Sequence, residues 1–154
     1  MTPQDTSGFH LDSEIRVNNQ RHAGIVIKEG KILLMERKKN GFEFWTIPGG
    51  HLQKGEDPLK VVLREVEEET IIKVKNPTLV FEFRDYYKNN FDYYYLCEYI
   101  EGVPTLGGEE AEKSNELNYY NPQWVELEKV FELNLLPKFA KEWIVENLIE
   151  RETN

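Results

Sequence analysis

The chain has 154 residues, enough for one domain with a substantial core, and its 40% hydrophobic and 12% aromatic content is that of a globular protein. A net charge of −9, from 28 acidic and 19 basic residues, argues against broad binding to a nucleic-acid polymer, whose backbone needs a positive surface. No apolar run reaches the roughly 18 residues of a membrane span, the first residues lack the pattern of a secretory signal, and one cysteine excludes an internal disulfide, so a cytoplasmic protein without a membrane partner is expected.

Residues 1–19 are polar and aperiodic and read as a flexible tail, or as an edge strand built on Ile15 and Val17. Residues 20–154 read as a single domain. Ala23 to Lys28 and Lys31 to Glu36 are short β-branched or apolar runs around a Glu29-Gly30 turn, which predicts a strand pair. Arg37 to Gly41 is a basic loop. It could steer phosphates, although a solvated turn is the simpler reading. Phe42 to Ile47 alternates aromatic and polar residues, as a half-exposed strand does, and Pro48 leads out of it.

The next stretch, from Gly49, reads G-G-H-L-Q-K-G-E-D-P-L-K-V-V-L-R-E-V-E-E-E-T-I-I. Asp57 and Pro58 suit a helix N-cap and first helical position. At about 100° per residue, Leu59, Val62, Leu63 and Val66 share one face that can pack on a core. Glu65, Glu68 and Glu69, at i, i+3 and i+4, share a neighbouring face. Their mutual repulsion destabilises a helix, and they sit towards its negative C-terminal end. A solvated acidic face is the plain reading of such a cluster. A divalent cation with oxygen ligands is the alternative that would turn the repulsion to use.

Beyond this helix, Thr78 to Tyr87 and Phe91 to Ile100 flank Lys88-Asn89-Asn90 and predict a long hairpin. Tyr86, Tyr87, Tyr93, Tyr94, Tyr95 and Tyr99 would give it an aromatic wall, on which a nucleobase could stack. Cys97 lies in this apolar run and reads as a small core residue. Gly102 to Asn121 is a glycine- and acid-rich loop, of a length that is often functional. Gln123 to Leu127, around Trp124, is a last strand. Leu136 to Glu150 closes the chain as a helix with Phe139, Trp143, Ile144 and Leu148 at core spacing. The order of elements predicts a mixed β-sheet with helices packed on it.

The glycine-to-isoleucine stretch resembles the Nudix hydrolases, whose box is G-x5-E-x7-R-E-U-x-E-E-x-G-U, with U a bulky aliphatic residue. Gly50, Glu56, Arg64, Glu65, Val66, Glu68, Glu69 and Ile72 fall on that pattern with every spacing kept, over the 23 residues Gly50 to Ile72. Ile71 departs from it, standing where the family usually has glycine. Glycine there accepts a left-handed turn that a β-branched residue resists, so the helix is expected to run on or to turn differently at this point.

The resemblance implies an α/β/α sandwich with the box helix between sheet and site. It implies Mg²⁺- or Mn²⁺-dependent hydrolysis of the diphosphate in a nucleoside diphosphate linked to another group, or of a nucleoside triphosphate. It places metal ligands at Glu65, Glu68, Glu69 and the Gly49 carbonyl, with Arg64 and Glu56 orienting them. Glu65, Glu110 and Glu116 are its candidate general bases. His51, free in the motif, reads as a surface histidine, and His10 and His22 offer no constellation. A nucleotide-sensing module that binds without cleaving is the alternative, although no box glutamate is missing. Tyr87 stands where some ADP-ribose-cleaving members carry proline, and some dinucleoside polyphosphate hydrolases carry a tyrosine slightly further on. The substrate therefore stays open, as does a homodimer.

Overall fold

The computed structural model describes residues 19–149. The reading of the chain before Asn19 as a tail or added strand, with Ile15, Val17 and His10, lies outside them, as does Glu150 at the predicted end of the last helix.

Period-two alternation in the central strands sets the two faces of the sheet. β1 (Gln20–Lys28) runs parallel to β6 (Asn90–Glu101), with Ala23 opposite Tyr94 and Gly24 opposite Tyr95. Ala23, Ile25 and Tyr94 point to one side and Val26, Tyr95 and Cys97 to the other. β2 (Lys31–Lys39) follows the Glu29-Gly30 turn, and β3 (Phe42–Thr46) follows a second turn at Asn40-Gly41. β4 (Gly49–His51) pairs with the start of β1, and β5 (Lys73–Asp85) forms the long hairpin with β6. β7 (Asn118–Glu126) lies antiparallel to β2. The strand order is β3-β2-β1-β6-β5, with β4 on β1 and β7 on β2.

α1 (Pro58–Thr70) covers one face, where Val62 and Val66 pack with Val26, Leu33 and Cys97. A short helix, α2 (Gly108–Lys113), follows β6. A 3₁₀ segment, Leu127–Glu132, and α3 (Lys138–Leu148) cover the other face, where Ala140 and Ile144 meet Ile25, Ile32 and Tyr94. The expected α/β/α sandwich is present. α1 sits tightly on the sheet, since a Cβ on Gly24 would lie 2.8 Å from Val66 Cγ2.

Several boundaries differ from expectation. Arg37, Lys38 and Lys39 belong to β2, because nine ladder partners on β7 extend that strand past Glu36. Polar side chains do not end a strand whose backbone is paired on both sides. The predicted loop from Gly102 to Asn121 contains α2, and β7 begins within it. The tyrosines form no single wall, because alternation sends neighbours to opposite faces. Tyr94 joins the α3-side core, Tyr95 the α1-side core, and Tyr86 and Tyr87 project from the hairpin tip.

His22 is almost fully buried on the α1 side, with Nδ1 2.9 Å from Tyr95 Oη and Nε2 3.1 Å from Gln20 Oε1. Its ring stacks on Tyr93 at 4.8 Å. Burial, helped by His51, pushes its pKa down from 6.5 to about 4. The neutral ring is the folded form, whereas the unfolded chain binds a proton below pH 6.5. His22 therefore contributes stability that is full above pH 6.5 and is lost as pH falls towards 4. Replacing it by Gln should remove that acid-side fall, on the order of 2–3 kcal/mol. Urea melts of both proteins between pH 7 and 4 check this, and parallel pH profiles would contradict it.

Candidate active site

α1 starts as the sequence indicates: Asp57 Oδ1 accepts a hydrogen bond from Leu59 N at 3.0 Å and Pro58 is the first helical residue. The buried stripe is shifted. Val61, Val62 and Val66 are fully buried, Leu63 is partly so, and Leu59 is 45% exposed. The first turn carries Leu59 beyond the cover of the sheet, and Val61 takes its place inside.

The three box glutamates are graded in depth. Glu68 is largely exposed, Glu65 less so, and Glu69 is only 8% exposed. The Glu69 carboxylate accepts from Gly49 N at 3.4 Å. Burial pushes its pKa up to about 8; Arg21 opposes that shift, and Glu110 and Glu65 add to it. Arg64 gathers the rest of the box. It donates to Glu56 and, at 3.0 Å, to Glu65, and its Nε lies 3.7 Å from Glu68. Glu56 in turn accepts from Gln53 N at 2.8 Å, which ties the loop before the helix to the same arginine. That hydrogen bond from Arg64, more than any other cause, holds Glu56 below the usual carboxylate range. Gly49 is needed for space, because a Cβ there would lie 2.5 Å from Ala23 Cα and from His22 O, whereas at Gly50 it would meet the movable end of Glu65.

Glu65, Glu68, Glu69 and Arg64 line a cleft of about 880 Å³. Its other walls hold Tyr94 of the expected aromatic set, from β6, and residues that the sequence reading did not single out: Arg21 from β1, Asp92 from β6 and Tyr120 from β7. Arg37, read as part of a solvated turn, also lines it, with its guanidinium 3.8 Å from the Tyr120 ring centroid. His51 is exposed yet lies on the cleft rather than on a remote surface. Glu109 and Glu110 enter from α2, whereas Glu116 and the exposed Tyr87 lie outside the cleft lining. The missed residues had one signal. Arg21 precedes Ala23 by one strand period and Asp92 precedes Tyr94 likewise, so charged residues stood at inward-facing positions.

Ile71 ends the helix in the same way a glycine would. Its φ is 66°, in the left-handed region, and its N–H donates to Glu67 O at 2.8 Å. The helix does not run on, contrary to expectation. The following loop fixes the turn: Thr105 N donates to Thr70 O at 2.9 Å and Gly107 N to Glu69 O at 3.2 Å. These bonds satisfy helix-end carbonyls and dock α2 beside Glu69. A β-branched residue at such φ costs on the order of 1–3 kcal/mol, which is partly offset by the greater backbone entropy a glycine would lose on folding. Ile71→Gly should thus raise stability by about 1 kcal/mol and change turnover less than tenfold. A hundredfold gain in turnover would mean that isoleucine mis-sets the site.

The donor set, carboxylates and a backbone carbonyl, suits a hard divalent cation. The Glu69 carboxylate, buried beside other acids, is the group whose charge such an ion would compensate. Among the described residues no three His, Cys, Asp or Glu groups already converge as a preset metal cage. Arg64 engages Oε2 of Glu65 and lies near Oε2 of Glu68, which leaves each of them its other oxygen for a cation.

The site is thus a cleft beside a mixed sheet between helices, lined by the carboxylates of one helix and by Arg21, Arg37 and Arg64. The chain belongs to the Nudix family: the model of the NUDIX domain matches residues 18–146. An ADP-ribose pyrophosphatase of Methanocaldococcus jannaschii is 33% identical over 122 residues, which are 76% of this chain and 63% of that protein. An RNA pyrophosphohydrolase of Pelagibacter ubique is 39% identical over 64 residues, 40% of each chain. The chain thus spans less than two thirds of the length of these relatives. Among solved structures, a MutT described for Aliivibrio salmonicida and Vibrio cholerae superposes with a TM-score of 0.65 at 20% identity, covering 84% of this chain and 97% of that one. This likeness concerns the fold. No helix among the described residues is long and apolar enough to cross a membrane.

Proposed function

We propose that the chain hydrolyses the phosphoric anhydride bond of a nucleoside diphosphate derivative, with Mg²⁺ or Mn²⁺ held by Glu65, Glu68, Glu69 and the Gly49 carbonyl. The observation that carries this reading is that one cleft joins two opposite chemistries. It is lined by Glu65, Glu68 and Glu69 from α1 and by Arg21 and Arg37 from β1 and β2. A diphosphate bridged to carboxylates by cations, with guanidinium groups on its free oxygens, satisfies both. The bound cation would neutralise the diphosphate and lower the pKa of an attacking water. Arg64 fixes the orientation of Glu65 and Glu68, and Glu56 fixes Arg64. Asn118 Oδ1 and Tyr119 O hold Arg37 at 2.6 and 3.1 Å, so its planar face stays aligned with Tyr120.

Glu110 is the favoured general base of the two loop acids, because it lies close enough to Glu69 to raise that residue's pKa and Glu116 lies away from the cleft. Glu65 is the other candidate, but it is engaged by Arg64. Glu110→Gln should lower kcat by about a hundredfold or more with little change in KM, whereas Glu116→Gln should stay within about twofold of the parent. Equal effects of the two changes would remove Glu110 from this role.

A screen of nucleoside diphosphate derivatives with Mg²⁺ and with Mn²⁺, products identified by mass spectrometry, tests the whole reading. ADP-ribose and a 5′-triphosphorylated oligoribonucleotide belong in it because of the names of the two relatives. Cleavage between two phosphates is expected for at least one compound. Binding without cleavage across the screen would favour a nucleotide-sensing module.

A further inference from the structure

The last turn of a helix leaves backbone carbonyls to be satisfied from outside, and in α1 the segment after β6 supplies the donors. Gly102 turns that segment at a φ of 115°, so close to α1 that a Cβ would lie 2.7 Å from Ile71 O. Tyr99 Oη donates to Gly102 O at 2.8 Å and pins the turn. Thr105 N and Gly107 N then donate to Thr70 O and Glu69 O, and these two bonds lay the segment along the end of α1. α2 starts at once, at Gly108, and carries Glu109 and Glu110 into the cleft.

Two glycines stand at the contact, for different reasons. Gly108 has a φ of 65°, in the left-handed region that favours glycine. Gly107 has a φ of −140° and a ψ of −179°, extended backbone that any residue adopts. Conformation therefore does not call for glycine at 107, and space does. A Cβ there would lie 2.6 Å from Glu68 O and 2.9 Å from Ile71 Cδ1. The isoleucine side chain can turn aside, but the carbonyl is part of the helix backbone and cannot. A methyl group at 107 has to lift the segment off α1. The surface it sits on is the backbone of Glu68 and Glu69, two of the box carboxylates.

We propose that Gly107 is a positioning residue for hydrolysis: its bare Cα seats the segment on the backbone of Glu68 and Glu69 and thereby sets where Glu110 stands relative to their carboxylates. The proposal rests on the reading of Glu110 as general base above. α2 has only six residues, too few to hold a helix in place by itself. Its position comes from its two ends, the seat at Gly107 and the hydrogen bond that Ser114 Oγ accepts from Tyr120 N at 3.2 Å. Of the two, the seat is the one that touches the box.

The test is Gly107→Ala, alone and combined with Glu110→Gln, with kcat and KM measured in Mg²⁺ on whichever compound of the screen the parent cleaves fastest, ADP-ribose and the 5′-triphosphorylated oligoribonucleotide being tried first. A misplacement of about 1 Å can cost about a hundredfold in rate, so Gly107→Ala should lower kcat by about fivefold or more while KM stays within about threefold. In the Glu110→Gln background the same change should cost less than about twofold, because no base is left to misplace. Mn²⁺ binding to Gly107→Ala, followed by electron paramagnetic resonance, should stay within about threefold of the parent, which separates a lifted segment from a damaged cation face. Gly30→Ala controls for backbone strain alone, since Gly30 has a φ of 77° with open space around it and follows the end of β1 remote from Arg21. It should lower Tm and leave kcat within about twofold. Amide exchange of the parent needs neither substrate nor variant: the Thr105 and Gly107 N–H groups should exchange about tenfold or more slowly than free amides. The proposal is overturned if Gly107→Ala stays within fivefold of the parent kcat, if its effect is as large without Glu110 as with it, if it abolishes Mn²⁺ binding, or if the two amides exchange freely. Glu110→Gln as active as the parent, or a parent that cleaves nothing in the screen, would instead bring down the reading on which the proposal rests.

Discussion

Glu69→Gln is expected to lower turnover by about a hundred- to a thousandfold, equal to about 2.7–4 kcal/mol of barrier, while making the metal-free protein more resistant to heat. The two effects have one origin. Glu69 is the most buried of the box carboxylates, and burial pushes its pKa up to about 8. The unfolded carboxyl ionises near pH 4.5 and the folded one near 8. A raised carboxylate pKa means that stability declines as pH rises from about 4.5 to 8, because the unfolded chain then gives up a proton that the folded chain keeps. At pH 7 a neutral glutamine escapes that cost, on the order of 2–3 kcal/mol. It also keeps an oxygen for the Gly49 N–H. What it loses is the charge that a divalent cation needs. Turnover by Glu69→Gln within tenfold of the parent would remove the residue from the site, and a lower Tm in chelator would make the carboxylate structural.

Removal of divalent metal should have the larger effect on activity. With the diphosphate's charges uncompensated, the acidic face of α1 repels the substrate it faces, and Arg21, Arg37 and Arg64 do not offset that alone. Turnover in excess chelator should fall at least a thousandfold and return on adding Mg²⁺ or Mn²⁺. The same ions should raise Tm with concentration, since a ligand that binds only the folded chain stabilises it by mass action. Persistent turnover in chelator, with no thermal shift on metal addition, would contradict both halves of this expectation.

How much of this was legible in the sequence varied with the range of the interactions involved. The box helix was readable because its signals are local: Asp57 and Pro58 for the start, valine spacing for the packed face, and carboxylate spacing for the exposed one. Its end was misread at Ile71. Residue type alone speaks against left-handed geometry there, and the bonds from Thr105 and Gly107 that hold it come from more than thirty residues away. Leu59 was misassigned to the core because helical period fixes a face but not how far the sheet extends beneath it. Arg37 was misplaced for a similar reason, since only the ladders with β3 and β7 show that β2 continues. Arg21 and Asp92 become neighbours only through the parallel pairing of β1 with β6, which joins strands separated by the whole box. Glu110 and Glu116 could not be ranked until α2 had been docked on the end of α1.

The central claim is that the acidic face of α1 is a cation site rather than a solvated surface. Titrating Mn²⁺ into the chain by electron paramagnetic resonance, beside a Glu65→Gln, Glu68→Gln, Glu69→Gln triple variant, tests it without reference to any substrate. Saturable binding of one or more ions to the parent, competed by Mg²⁺ and weakened at least a hundredfold in the triple variant, is the predicted result. Equal Mn²⁺ binding by the two proteins, or none by the folded parent, would contradict it.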